Sequence, residues 1–244
     1  MPLEGCLDIL SFNDFLYNLS DNIDYIKCYN NPKGIFLMQQ DILTNQEARI
    51  NLYALLSRLL MNEVDEELLT TIENDENMMA FFPSYAKWGR RKEMDRKSLI
   101  ESYLNVDFTN LFLLHMTPYE SFYMREDQMM ETAGENPVLQ LFNEHDFRVD
   151  LGKARAVSVD HIGIEFEFMY MLCDAEKKAI LDGNIETAQA IAKIQQKFLK
   201  EHLLEWAPMF LLNVNSEAGT AFYFDIAELA LEFMMSDYEY LCET

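Results

Sequence analysis

The sequence is poor in turn formers. Its 244 residues include 8 glycines and 6 prolines, where average usage would give about 17 and about 12. An all-β chain needs frequent turns, so this composition disfavours sandwiches and barrels and favours long helices. Cysteine is sparse too. Cys6, Cys28, Cys173 and Cys242 form no C-x-x-C pair, and their spacing suits neither a zinc knuckle nor a disulfide framework. Positive charge is scarce: 19 Lys and Arg stand against 42 Asp and Glu, a net charge of −23. Such a surface repels phosphate backbones and anionic lipid, so neither nucleic acid nor a membrane surface is expected as a partner. No apolar run reaches the length of a membrane span, about 18 residues. The longest candidate, 203–214, is broken by Glu205, Pro208 and Asn213. Near the N-terminus, Glu4 and Asp8 stand where a secretory signal carries Lys or Arg. These absences together predict a protein of the cytoplasm with reduced thiols and no insertion into a membrane.

What is present is ordinary for a globular chain: 50% hydrophobic and 25% charged residues. Area scaling buries roughly 73% of the unfolded surface of a chain this long, enough for a core without staples. The pattern is a series of amphipathic helices. Thr44 with Glu47 spells a capping box before Ile50, Tyr53, Ala54, Leu56 and Leu60. Asp65 can cap a short helix through Ile72, and Ser98 with Glu101 spells a second capping box. Asn136 and Pro137 suit an N-cap and first helical position. A helix is predicted from Ser158 or Asp160 to about Leu181, stopped near Gly183. Another runs from Ile185 to about Asn213, kinked at Pro208, and a last one is capped by Ser216 and reaches about Tyr240. The fold class expected is all-α, a single helical domain. Residues 1–40 stand apart as an accessory segment, with Leu7, Leu10, Phe15 and Leu19 on a helix candidate before the turn-like Asn30-Asn31-Pro32-Lys33-Gly34. Within 41–244, a glycine- and proline-containing stretch at 134–157 divides halves at 41–133 and 158–244.

Three features carry chemistry. Asp160-His161-Ile162-Gly163-Ile164-Glu165 places His161 and Glu165 four apart on one helix face. One reading has Asp160 as N-cap and His161 ion-paired with Glu165. Another makes His161 and Glu165 metal ligands or an acid–base pair of a helical hydrolase. That reading needs more ligands, and His115, His145 and His202 lie at no ligand spacing. Thr117-Pro118-Tyr119-Glu120-Ser121-Phe122-Tyr123 sets two amphipathic rings and a carboxylate at a helix start. Fifteen methionines, paired at Met78-Met79, Met129-Met130 and Met234-Met235, fill irregular cores or suit variable apolar partners. One basic island, Lys87, Arg90, Arg91, Lys92, Arg96 and Lys97 around Trp88, interrupts the acidic chain. No glycine-rich phosphate loop accompanies it. A helical adaptor for some other basic protein fits the same composition.

Four stretches, taken in order, resemble the TorD/DmsD/NarJ family of redox-enzyme maturation chaperones. They are Ala48-Arg49 through Leu60; Asp107-Phe108-Thr109-Asn110-Leu111-Phe112 with Pro118-Tyr119-Glu120-Ser121; Asp160-His161-Ile162 with Glu165-Phe166-Glu167-Phe168-Met169; and Gln196-Lys197-Phe198-Leu199 with His202 to Trp206, then Phe222-Tyr223 and Ala227-Glu228-Leu229. The likeness spans about 44–235. It departs at Val157 and Ser158, where the family signature commonly has Glu and Pro before x-Asp-His. The resemblance implies a TorD-like fold of roughly ten helices with a hinge between its halves, as monomer or domain-swapped dimer, and no catalysis. It implies a client: the leader peptide or N-terminal tail of a molybdopterin-containing oxidoreductase, held until the molybdenum cofactor is inserted. It implies no resident cofactor or metal, only a transient contact with the client's molybdenum cofactor. On this reading Asp160, Glu120 and Glu165 are offered to the arginine pair of a twin-arginine signal, and Tyr119 and His161 line the same site.

Overall fold

The computed structural model describes residues 32–132 and 136–243. Every element among them is helical, apart from one isolated antiparallel bridge between Tyr119 and His161. Five long helices make the frame: α1 (Pro32–Met61), α2 (Ile162–Leu181), α3 (Ile185–Phe198), α4 (Leu204–Glu217) and α5 (Ala221–Glu243). No described helix is long and apolar enough to cross a membrane.

Helix α1 buries Ala48, Leu52, Tyr53, Leu55, Leu56, Leu59 and Leu60. Their three- and four-residue steps form one apolar stripe. The helix begins at Pro32 and passes through Thr44 and Glu47, so the expected capping box lies in its interior. Proline is tolerated in a first turn because its missing N–H has no intrahelical partner there. Residue 40 is likewise inside α1; residues 1–31, with their apolar helix candidate, lie outside the described residues. At the other end Arg58 donates to the carbonyls of Asn62 and Glu63, at 3.2 and 2.9 Å, and pairs with Asp65. Asp65 caps the next helix, Glu66–Asn74, as the sequence predicts.

Helix α2 is apolar nearly all round, with Ile162, Ile164, Phe166, Phe168, Met169, Leu172 and Cys173 buried, as a central helix must be. It runs along α1 on one side and α3 on the other. Gly163 permits the approach to α1. A Cβ there would stand 2.1 Å from Met61 Cγ, and Ser57 Oγ donates to the Gly163 carbonyl at 2.8 Å. Gly183, at φ +72°, ends the helix in the left-handed conformation that glycine adopts freely.

The helix expected over Ile185–Asn213 continues to Glu217, and its disturbance lies before Pro208. A π turn, Leu199–Leu203, separates α3 from α4. Pro208 supplies no N–H to the carbonyls of the turn before it, and the chain widens there. Ser216 is inside α4 rather than capping α5. The cap comes from across the molecule: Asp107 accepts from Gly219 N at 3.0 Å, Thr220 N at 2.8 Å and Thr220 Oγ1 at 2.7 Å. Ser98 is likewise inside a helix whose cap is Asp95.

One continuous apolar core runs through both expected halves, and the stretch between them contributes Val138 and Phe142. Phe142 meets Phe168 at 4.8 Å between centroids, and Phe168 meets Phe198 at 4.9 Å. In the basic island, Arg91 and Arg96 both pair with Glu73, and Arg91 lies over the Tyr85 ring.

Candidate functional site

Pro118 ends the preceding helical stretch, and Tyr119 leaves it in extended geometry, φ −130° and ψ 133°. His161 is also extended, and the two segments pair. Ile162 N donates to the Pro118 carbonyl at 2.9 Å, and Glu120 N to the Asp160 carbonyl at 3.0 Å. The Tyr119 ring meets the His161 ring edge-on at 5.1 Å, and Tyr119 Oη accepts from Val157 N. Two motifs about 40 residues apart are thereby locked together.

The caps are exchanged across this bridge. Asp160 does not cap its own helix. Its Oδ2 accepts from Ser121 N at 2.8 Å and so caps the short helix Glu120–Met124 on the opposite segment. His161 is the N-cap of α2, its Nδ1 accepting from Gly163 N at 3.1 Å. Burial disfavours the imidazolium and lowers His161 to about 4, against the attraction of Asp160. The expected His161–Glu165 ion pair does not form, because His161 is spent as a cap.

Glu165 faces the other way. Its Oε2 accepts from Trp206 Nε1 at 3.2 Å. Burial first, and then the negative neighbours Glu120 and Asp160, push its carboxyl well above the usual range. Its buried Oε1 accepts no hydrogen bond, and Glu120 is within hydrogen-bond reach. Glu120 in turn faces His202, whose Nδ1 is 3.0 and 3.1 Å from the two carboxyl oxygens. The result is a buried chain: Trp206, Glu165, Glu120, His202.

All five residues singled out from sequence therefore meet in one place. All five are also buried: Asp160 and Glu165 fully, Glu120, His161 and Tyr119 nearly so. The three carboxyls expected to take a cationic partner are engaged internally and form the frame of the site. Sequence reasoning missed His202 and Trp206 as parts of it. Their i, i+4 spacing and their place in a stretch that carries the family resemblance were the available signals. It also missed the polar clasp beside the bridge, where Asn136 Nδ2 donates to Ser158 Oγ at 3.0 Å and Ser158 Oγ donates to the Glu131 carbonyl at 2.8 Å. Among the described residues no group of three or more His, Cys, Asp and Glu converges to hold a metal ion. The hydrolase reading thus lacks a ligand set around His161 and Glu165.

Two surface features border this frame. A cleft of about 350 Å³ lies over His202. On the other side the π turn Thr109–His115 meets α4 through the Phe112 and Phe210 rings, 6.2 Å apart. Leu113 and Leu114 on the first, and Met209 and Leu212 on the second, are exposed. Of the methionine pairs, Met129 and Met130 are both exposed, whereas Met78 and Met234 are in the core.

Comparison with known proteins finds relatives over most of the chain. Over 218 residues, 83% of this chain and 98% of the relative, it is 24% identical to Chaperone protein TorD of Vibrio atlanticus. Against Chaperone protein TorD of Salmonella bongori the identity is 26% over 84% of this chain and 94% of the relative. With that of a Psychrobacter species it is 30% over 139 residues, 60% of the relative. No solved structure matches. A family model described as nitrate reductase delta subunit matches residues 74–211, which include both segments of the bridge and the buried acid chain, and the chain belongs to that family, the one of TorD and NarJ.

Proposed function

We propose that this protein is a maturation chaperone of the cytoplasm, without catalytic activity. It binds the leader peptide or N-terminal tail of a molybdopterin-containing oxidoreductase and holds it until the cofactor has been inserted. The observation that carries this reading is its similarity, over nearly their whole length, to relatives named as TorD chaperones. The physical setting supports it. A net charge of −23 favours encounter with a cationic leader, and the exposed Leu113, Leu114, Met209 and Leu212 suit its apolar stretch. The bridge of Tyr119, Glu120, Asp160, His161 and Glu165 is the partner-binding frame, which acts by fixing the surfaces around it. Whether monomer or domain-swapped dimer, each copy needs one complete bridge.

The test is fluorescence anisotropy of a labelled twin-arginine leader titrated with the protein at low and moderate salt, beside a twin-lysine version. Saturable binding that weakens with salt and prefers arginine is expected. Absence of saturable binding to either leader, and to the N-terminal tail of a molybdoenzyme subunit, would overturn the reading. Replacing Asp160 by Asn together with His161 by Ala is expected to loosen the leader by about tenfold or more. Unchanged affinity would remove the bridge from the site.

A further inference from the structure

The cleft over His202 is walled by residues 137–145 on one side and 194–202 on the other. Its size is at the low end for a ligand pocket and suits a single long side chain. Its floor is aromatic. Phe198 is buried, and the His202 ring stacks on it at 5.0 Å and 29°. Leu141 and Ile194 are apolar walls. The rims carry acceptors from opposite elements, Glu144 and Glu201. Glu144 Oε1 accepts from Gln140 Nε2 at 2.7 Å, and Glu201 Oε2 is 3.7 Å from Lys197 Nζ. Each carboxylate therefore keeps one oxygen outside these contacts. His202 is part of the same lining, with its Nδ1 3.0 Å from Glu120 Oε1.

An aromatic floor between two carboxylates, one of them beside Lys197 of the same lining, matches one chemical group closely. A guanidinium is planar, stacks on aromatic rings and forks its N–H donors to carboxylates, whereas an ammonium offers charge without the stack. We propose that this cleft is a guanidinium subsite, taking an arginine side chain of the bound peptide. The inference rests on the leader-binding reading above. Met209 is two turns beyond His202 along the same helical path, about 10 Å away, and is 61% exposed.

The test has two arms on the full chain. In the first, ring ¹⁵N resonances of the histidines are followed while acetyl-arginine methylamide, then acetyl-lysine methylamide, is added. His202 and His145 are expected to shift saturably with the arginine compound, at an affinity about fivefold or more above that for lysine. In the second, the exposed rim is neutralised as Glu144→Gln with Glu201→Gln, with helix content checked by circular dichroism. The twin-arginine leader is expected to loosen by about tenfold, while the twin-lysine leader changes by less than about twofold. Silent histidine rings with unchanged leader affinity in the double variant would overturn the subsite. Leader binding to the unaltered protein in that same experiment would keep the chaperone reading intact. Saturable arginine shifts without binding of any leader would do the reverse.

Discussion

His161 and Glu165 are four residues apart, and burial disfavours the charged form of both, with opposite consequences for pH. The His161 value is depressed to about 4. Its contribution to stability is present above the ordinary histidine value near 6.5 and is lost as pH falls through 4. Over that window it amounts to about 3 kcal/mol. His161→Asn keeps a cap for Gly163 N and removes the titration, so urea melts between pH 7 and 4 should show a flatter acid limb. Glu165 is raised. Its contribution is complete below the ordinary carboxyl value and is lost as pH rises through the folded one. Glu165→Gln should therefore gain on the unaltered protein as pH increases, in the same melts, and a parallel pair of curves would refute a protonated Glu165. The four-residue spacing of 161 and 165 was legible in the sequence, but His161 caps α2 while Glu165 turns to Trp206. Their pH behaviour was not legible, because it depends on Trp206 and Glu120, which arrive from distant segments.

Helices were legible where their signals are local. Asp65, Gly183 and the apolar steps of α1 act within a turn or two of the residue itself. Two misplaced boundaries share a cause, in that the decisive group is remote. Asp107 caps α5 from more than 100 residues away, and the run of contacts along α1 carries it straight through Thr44. Asp107→Ala should cost about 1–2 kcal/mol in urea denaturation, the range for losing a cap, and Ser216→Ala should cost little. Close approach gives a second expectation. Gly163→Ala forces a methyl into Met61 and towards the Ser57 carbonyl, for about 1–3 kcal/mol of destabilisation. Adding Met61→Ala should recover part of that loss. If it recovers none, the limiting contact is the backbone of Ser57.

At the scale of the molecule, the first and last of the long helices are tied by a buried charge. Arg49 on α1 bonds Asp237 of α5 through Nε at 2.5 Å and Nη2 at 3.1 Å, and Glu176 of α2 at 3.2 Å; it also meets Gln195 of α3. Tyr53 Oη donates to the same Asp237 at 2.6 Å. Arg49→Met leaves two buried carboxylates without their cation and should cost about 3–5 kcal/mol, read as a fall in the urea midpoint. The all-helical class was legible in the scarcity of glycine and proline and in the helical periodicity, and the family resemblance implied it too. The pairing of Arg49 with residue 237 was not, since no periodicity links them. This architecture has a consequence for how the chain is made. The stripe of α1 is covered by α2, and Ser57 finds Gly163 only 106 residues later in the chain. At roughly 5–20 residues per second on a ribosome, α1 waits roughly 5–20 s with its leucines bare. Until the second half of the chain has emerged, that apolar stripe is open to the wrong partner.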